Sequence, residues 1–280
     1  KECDWSSDVC SSDLGRAIHG LSQRASLERR FGSRVVDRRT ANRRATDSGA
    51  EKIRVVGMSV SIAETAVVDP RAQLDLGVEV GPFCVVGPDV RIGCGTRLIA
   101  HVTLMGRVDL GRHNLLSPNV VVGGDPQDLT YRGEPTCVSI GDHNVIREGV
   151  TIHRGTIKEE GVTSVGNHCY LMANCHVAHD CRLGDRIVMA NGTLLGGHVH
   201  VHDDATLSGG VAVHHFTTIG SYSFIGGLSR VMHDVPPYML AEGSPARPRC
   251  INVVALKRND FPEEVVAALH EAHQIGRAHV

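Results

Sequence analysis

Aromatic side chains make up only 4% of the 280 residues and tryptophan occurs once, so the chain has little of the material that fills an ordinary globular core. It also lacks any run approaching eighteen apolar residues, which argues against a membrane-spanning helix, and its basic N-terminal stretch lacks the apolar segment of a signal peptide. A formal net charge of -2 gives no overall reason to expect nucleic acid or an anionic membrane as a partner. A cytoplasmic protein without integral membrane association is the expectation. Glycine is abundant, with 31 copies, and this shifts the composition toward a repeat built from small and β-branched side chains.

Both ends read as foreign. Residues 1–14 contain CDWSSDVCSSDL (Cys3 to Leu14), which has the sequence of a translated sequencing adapter, and QIGRAHV at residues 274–280 matches a second adapter reading. Neither is expected to be native. Met58 is the expected natural start, and native C-terminal sequence is expected to be missing. Residues 15–57 are rich in arginine (Arg29, Arg30, Arg34, Arg38, Arg39, Arg43, Arg44) without a sustained apolar period. No aromatic interleaving accompanies these arginines, so a nucleic-acid-binding arm is the weaker reading.

From Ile62 an aliphatic residue falls at every sixth position, through Val68, Leu74, Val80, Val86, Ile92, Leu98, Leu104, Leu110 and Leu116 to Val122. The phase resumes at Ile140, Ile146 and Ile152, then, one residue out of register, from Val165 through Val177 and Leu195 to Val231. This is the hexapeptide signature of a parallel β-helix, in which three short strands and three bends close one triangular coil. Four places after the aliphatic residue the slot is modest in size: Ala66, Ala72, Cys84, Thr96, Thr193, Ala205, Ser223. Cys169, Cys175 and Cys181 occupy the same slot and are expected to be buried thiols, not metal ligands or disulfides. Spacing gives the three sides but not the hand. The prism is expected over residues 58–240, ending near Val235 before Pro236 and Pro237. A helical region should begin within 241–273, where PEEVVAALHEAH has a helix start and sets Val265, Leu269 and Ala272 on one face.

The phase breaks mark two exposed loops, Asp125 to Thr136 and Ile157 to Thr163. Histidines crowd the second half. His179 lies two places after the inward Val177, so it should stand outside the prism, and the next coil, eighteen residues on, sets Gly197 beside it. A neutral imidazole could take a proton from an alcohol while that glycine's N–H holds an oxyanion, with Asp180 orienting the base. Zinc held by His153, His176, His179, His198, His214 and His215 is a rival reading, similar to the gamma-class carbonic anhydrases, and an idle scaffold is a third.

The segments GPFCVVGP (Gly81 to Pro88), GDPQDLTYRGEPT (Gly124 to Thr136), IREGVTIHRGT (Ile146 to Thr156), HVAHDC (His176 to Cys181) and DVPPYMLAEG (Asp234 to Gly243) together resemble the UDP-N-acetylglucosamine O-acyltransferase family. That resemblance spans Met58 to about His273. It implies a left-handed parallel β-helix followed by a short α-helical region, a homotrimer with sites between subunits, and transfer of a 3-hydroxyacyl group from acyl carrier protein to the sugar 3-hydroxyl, the first step of lipid A synthesis. A related acyltransferase with another sugar acceptor is the near alternative. The resemblance further implies His179 as general base, Asp180 as its helper and Gly197 as oxyanion donor. Asp128, Thr130, His153, His176, His198 and His214 would surround the nucleotide sugar and acyl chain, Gly227 would set acyl length by leaving the groove open to longer chains, and Asn252 and Arg258 would contact the donor. No metal and no cofactor are implied beyond the 4'-phosphopantetheine carried by the acyl carrier protein. Two positions depart from the family pattern. Thr130 stands in place of lysine and His215 in place of glutamine; the first removes a charge-assisted contact of roughly 1.5–3 kcal/mol, for which Arg132 is the expected substitute.

Overall fold

An aliphatic residue at every sixth place becomes, in three dimensions, the inward-pointing end of a two-residue strand. The computed structural model describes residues 59–278, with side chains through Ile275. The expectations for residues 1–58 and for the last two residues lie outside the described residues. The short strands stack into three sheets of 11, 9 and 8 strands, and each coil contributes one strand to each sheet. Pairing is parallel and mostly eighteen residues apart, as in His176↔Leu194 and Val177↔Leu195. From Val80 to Val231 every aliphatic residue of the six-residue phase is at most 4% exposed. The first coil is open, with Ile62 at 48%.

The modest-sized slot is the inner corner. Cys84, Thr96, Thr193, Ala205 and Ser223 are fully buried there, and Cys169, Cys175 and Cys181 are no more than 1% exposed. Burial pushes the Cys169 and Cys181 thiols up to about 12 and Cys175 to about 11, so all three stay protonated near neutral pH. One place earlier each corner turns through a left-handed residue: Asp180, His198 and Phe216 have φ of 61°, 62° and 59°. Short polar residues tolerate that region best among those with a Cβ.

The edge where the third sheet turns into the first is tied by side chains that replace backbone acceptors. Asp142 accepts from Arg112 N–H, Asn167 from Asp142, Asp185 from Asn167 and Asp203 from Asp185, at 2.7–2.9 Å. Both loops leave from another edge, where the second sheet turns into the third. The first fills 125–136, between strands Val121–Gly124 and Cys137–Ile140. The second is 154–161, starting and ending earlier than its sequence suggested, because Val162 and Thr163 already pair with Cys137 and Val138.

After Val235 the two prolines interrupt the coil and a hairpin follows, Met239–Gly243 antiparallel to Ala246–Ile251, which the six-residue count does not reveal. Helices α1 (Val253–Arg258) and α2 (Glu263–Ala278) complete the described chain. The apolar face of α2 is displaced from the expected one. Val266 and Leu269 pack against the core, whereas Val265 is 37% exposed and Ala272 is also exposed. The approach of Phe261 and the hairpin sets that rotation, which periodicity alone does not fix. The helix runs through Gln274–Ala278.

Candidate active site

His179 follows Val177 by two places, at the start of the corner between the second and third sheets. Its side chain stands outside the prism but is only 14% exposed. His198 closes one side, edge-on, with ring centroids 5.1 Å apart. The strand register brings position 197 alongside 179. A Cβ on Gly197 would stand 2.5 Å from His179 Cε1 and 2.7 Å from Nε2, so glycine is required here for room. Among the described residues no acceptor takes the Gly197 N–H.

Asp180 is fully buried. Its Oδ2 accepts from His179 Nδ1 at 2.9 Å and from the Thr156 hydroxyl at 2.7 Å, and its Oδ1 accepts the Thr156 N–H at 2.7 Å. Burial pushes this carboxyl upward, but the bonds from His179 and Thr156 outweigh it and hold the group below the ordinary aspartate value. An ionised carboxylate only accepts, so the proton lies on His179 Nδ1. Nε2 is left with its lone pair on the side of Gly197.

His176 projects from the second sheet, with Nδ1 2.7 Å from the Thr151 hydroxyl. Burial, with His153 and His179 nearby, pulls its value down to about 4, so the ring is neutral near pH 7. His153 meets it edge-on at 5.2 Å and donates Nδ1–H to the Asp125 carbonyl at 2.6 Å. In the first loop Asp128 Oδ1 accepts the N–H and hydroxyl of Thr130, both at 2.8 Å, while Oδ2 pairs with Lys158 at 2.5 Å. The Lys158 bond, with those from Thr130, holds Asp128 well below the usual carboxylate range. Arg132 does not take the place expected of it. Its guanidinium donates to the Leu129 and Tyr131 carbonyls of its own loop, and Lys158, from the second loop, is the cation at Asp128. His198 is 7% exposed and stacks on Phe216 with centroids 4.3 Å apart. His214, exposed, lies on the same edge with Nδ1 3.2 Å from the His215 carbonyl.

Three expected site residues lie elsewhere. Gly227 sits on the edge where the first sheet turns into the second, and a Cβ there would meet nothing closer than 3.5 Å. Asn252 caps α1, accepting from Ala255 N–H and donating to the Tyr222 carbonyl, so its amide is already used at both ends. Arg258 is exposed in the last turn of α1. Sequence reasoning passed over Thr156, Thr163, Lys158 and Glu159. Only Thr156 carried a signal, as the last residue of IHRGT. Of the six histidines considered for zinc, two, His179 and His198, gather with Asp180 so that one donor atom of each lies within 4.8 Å of the others. In this arrangement the Nδ1 of each ring is committed to a carboxylate.

A parallel three-sided prism carrying an imidazole–carboxylate pair beside a glycine amide defines a hexapeptide-repeat acyltransferase, and residues 163–197 match the family described as bacterial transferase hexapeptide. Residues 234–276 match UDP-N-acetylglucosamine O-acyltransferase, domain 2. An acyl-[acyl-carrier-protein]–UDP-N-acetylglucosamine O-acyltransferase of Syntrophobacter fumaroxidans is 49% identical over 217 residues, covering 77% of this chain and 84% of that protein. The Thermodesulfovibrio yellowstonii relative of the same name is 45% identical, over 76% and 83%. The crystal structure of the Francisella novicida UDP-N-acetylglucosamine acyltransferase superposes with a TM-score of 0.76 at 41% identity, covering 76% of this chain and 79% of that one. The chain belongs to the UDP-N-acetylglucosamine O-acyltransferase family, and its prism is the left-handed β-helix of that family.

Proposed function

We propose that this enzyme transfers a 3-hydroxyacyl group from acyl carrier protein to the 3-hydroxyl of UDP-N-acetylglucosamine, in lipid A synthesis, with His179 as the general base. The observation that carries the reading is the 2.9 Å contact between His179 Nδ1 and the buried Asp180 Oδ2. Asp180 holds the proton on Nδ1, so Nε2 is free to accept the sugar hydroxyl proton beside a glycine amide that has no acceptor among the described residues. The alkoxide attacks the thioester carbonyl, the Gly197 N–H stabilises the resulting oxyanion, and the tetrahedral intermediate collapses with loss of the thiolate. That thiolate takes its proton from the His179 imidazolium, which restores the base. The phosphopantetheine arrives and leaves with the carrier.

His153, His176, His198, His214, Asp128 and Thr130 lie on the same edge or its loops, where they would line the nucleotide-sugar and acyl groove. Gly227 lies on a different edge, so an acyl chain that starts at His179 and ends at Gly227 passes from one copy of the chain to another. This supports a homotrimer with sites between neighbours. Cys84, Cys94, Cys137, Cys169, Cys175 and Cys181 are thiols outside any disulfide, which suits the cytoplasm. The test is product mass spectrometry with UDP-N-acetylglucosamine and a mixture of 3-hydroxyacyl carrier proteins. A 3-O-hydroxyacyl product that disappears in His179→Ala is expected; a folded wild-type protein that forms no such product would overturn the assignment.

A further inference from the structure

The second loop carries three consecutive charges, Lys158, Glu159 and Glu160; Lys158 reaches the first loop, and both glutamates reach Arg182, Glu159 through Oε2 at 3.5 Å. Lys158 pairs with Asp128, and Glu160 pairs with Arg182 on the third sheet at 3.2 Å. Glu159 reaches inward. Its Oε1 lies 2.8 Å from His198 Nδ1, and His198 is 7% exposed, so this is the one bond of the three made to a buried ring. On the far side His198 Nε2 faces Asp180 Oδ2 at 3.7 Å, the oxygen that also accepts from His179.

We propose that Glu159 is a positioning residue for this site, holding the His198 ring so that its Nδ1–H is committed to Glu159 and Asp180 Oδ2 is left to His179. The inference rests on the acyltransferase reading above, to which it adds a residue outside the groups thought to touch substrate. The chemistry follows from the two nitrogens. A carboxylate accepts only, so Glu159 draws the His198 proton to Nδ1. Without that acceptor, a nearly buried Nδ1–H is unpaired, and the neutral ring gains by moving its proton to Nε2 and donating to Asp180. Asp180 Oδ2 already serves His179 and Thr156, so a third donor weakens the bond that sets the His179 tautomer. Stacking on Phe216 keeps the ring plane fixed but does not choose between the nitrogens. Choosing the nitrogen is the task left to Glu159.

The test compares Glu159→Ala, Glu159→Gln and Glu160→Ala in the full chain. Glu159→Ala is expected to lower kcat about tenfold with KM for the nucleotide sugar changed less, while Glu159→Gln, whose amide oxygen still accepts, recovers most of the loss. Glu160→Ala, which removes only the tie to Arg182, should leave kcat unchanged. Nitrogen NMR of histidine-labelled protein, without substrate, should show the His198 proton on Nδ1 in the wild type and in Glu159→Gln, and displaced in Glu159→Ala. Wild-type kcat in Glu159→Ala, or an equal loss in Glu160→Ala, overturns the proposal. Because the NMR measurement needs no turnover, an unchanged His198 tautomer in Glu159→Ala overturns it separately from any failure of the acyl-transfer assay.

Discussion

At the scale of single residues, the site depends on the absence of one side chain. Because a Cβ at position 197 would press within 2.7 Å of His179 Nε2, Gly197→Ala has to displace either the imidazole or the coil beneath it. The buried aliphatic column does not include this residue, so the ring is the part that gives. We expect kcat to fall about a hundredfold, the size of losing an oxyanion donor, with the unfolding midpoint nearly unchanged; steady-state kinetics alongside thermal unfolding checks both. His176 supplies a pH dependence of stability. Its value is lowered from 6.5 to about 4 in the folded chain, so between those values the unfolded chain binds a proton that the folded chain refuses. Stability therefore falls as pH drops from 6.5 toward 4 and levels off below. Urea unfolding at several pH values should show a shallower loss in His176→Gln than in the wild type.

At the scale of elements, the two loops act together because both leave from the edge that carries His179. Thr130 has no charge to offer a diphosphate, Arg132 is turned back onto its own loop, and the half-exposed Lys158 is the cation beside Asp128. Lys158→Ala should raise KM for the nucleotide sugar about tenfold, as expected for loss of a charge-assisted hydrogen bond, while Arg132→Ala leaves it near the wild-type value. Initial-rate measurements at varied UDP-N-acetylglucosamine concentration compare the two. A larger effect from Arg132→Ala would restore the expectation drawn from sequence. The C-terminal hairpin and α1 have a different duty: Asn252 spends its amide on the helix cap and on Tyr222, which fastens the tail to the end of the prism.

At the scale of the whole molecule, the separation of Gly227 from His179 onto different edges makes a prediction about pairs of chains. A methionine at 227 meets no atom closer than 3.5 Å at its Cβ, so Gly227→Met should fold and shorten the acyl chain accepted. Mixed with His179→Ala chains and reassembled, it should regain transfer of the longer chain, because sites pairing the His179 of one copy with the Gly227 of another are then intact. Product mass spectrometry on the mixture reads this directly. No recovery in mixed assemblies would place both residues in the groove of one chain.

The sequence by itself determined the prism and much of its active edge. One inward aliphatic residue per six fixes a three-sided coil, though not its hand, and a coil of eighteen residues is enough to set Gly197 beside His179 on paper. Cys169, Cys175 and Cys181 were legible for the same reason, since a corner that narrow leaves a thiol no room for a ligand. The rest was decided by contacts between segments that no period relates. Lys158 and Glu159 read as two charges in a polar loop, and only the fold carries one to Asp128 and the other across to His198. The face of α2 was misplaced because the hairpin, invisible to a count of sixes, sets how that helix meets the core. Repetition fixes what each coil shares with the next; what makes this edge a site lies where the chain leaves the repeat, and there only the three-dimensional path brings the groups together.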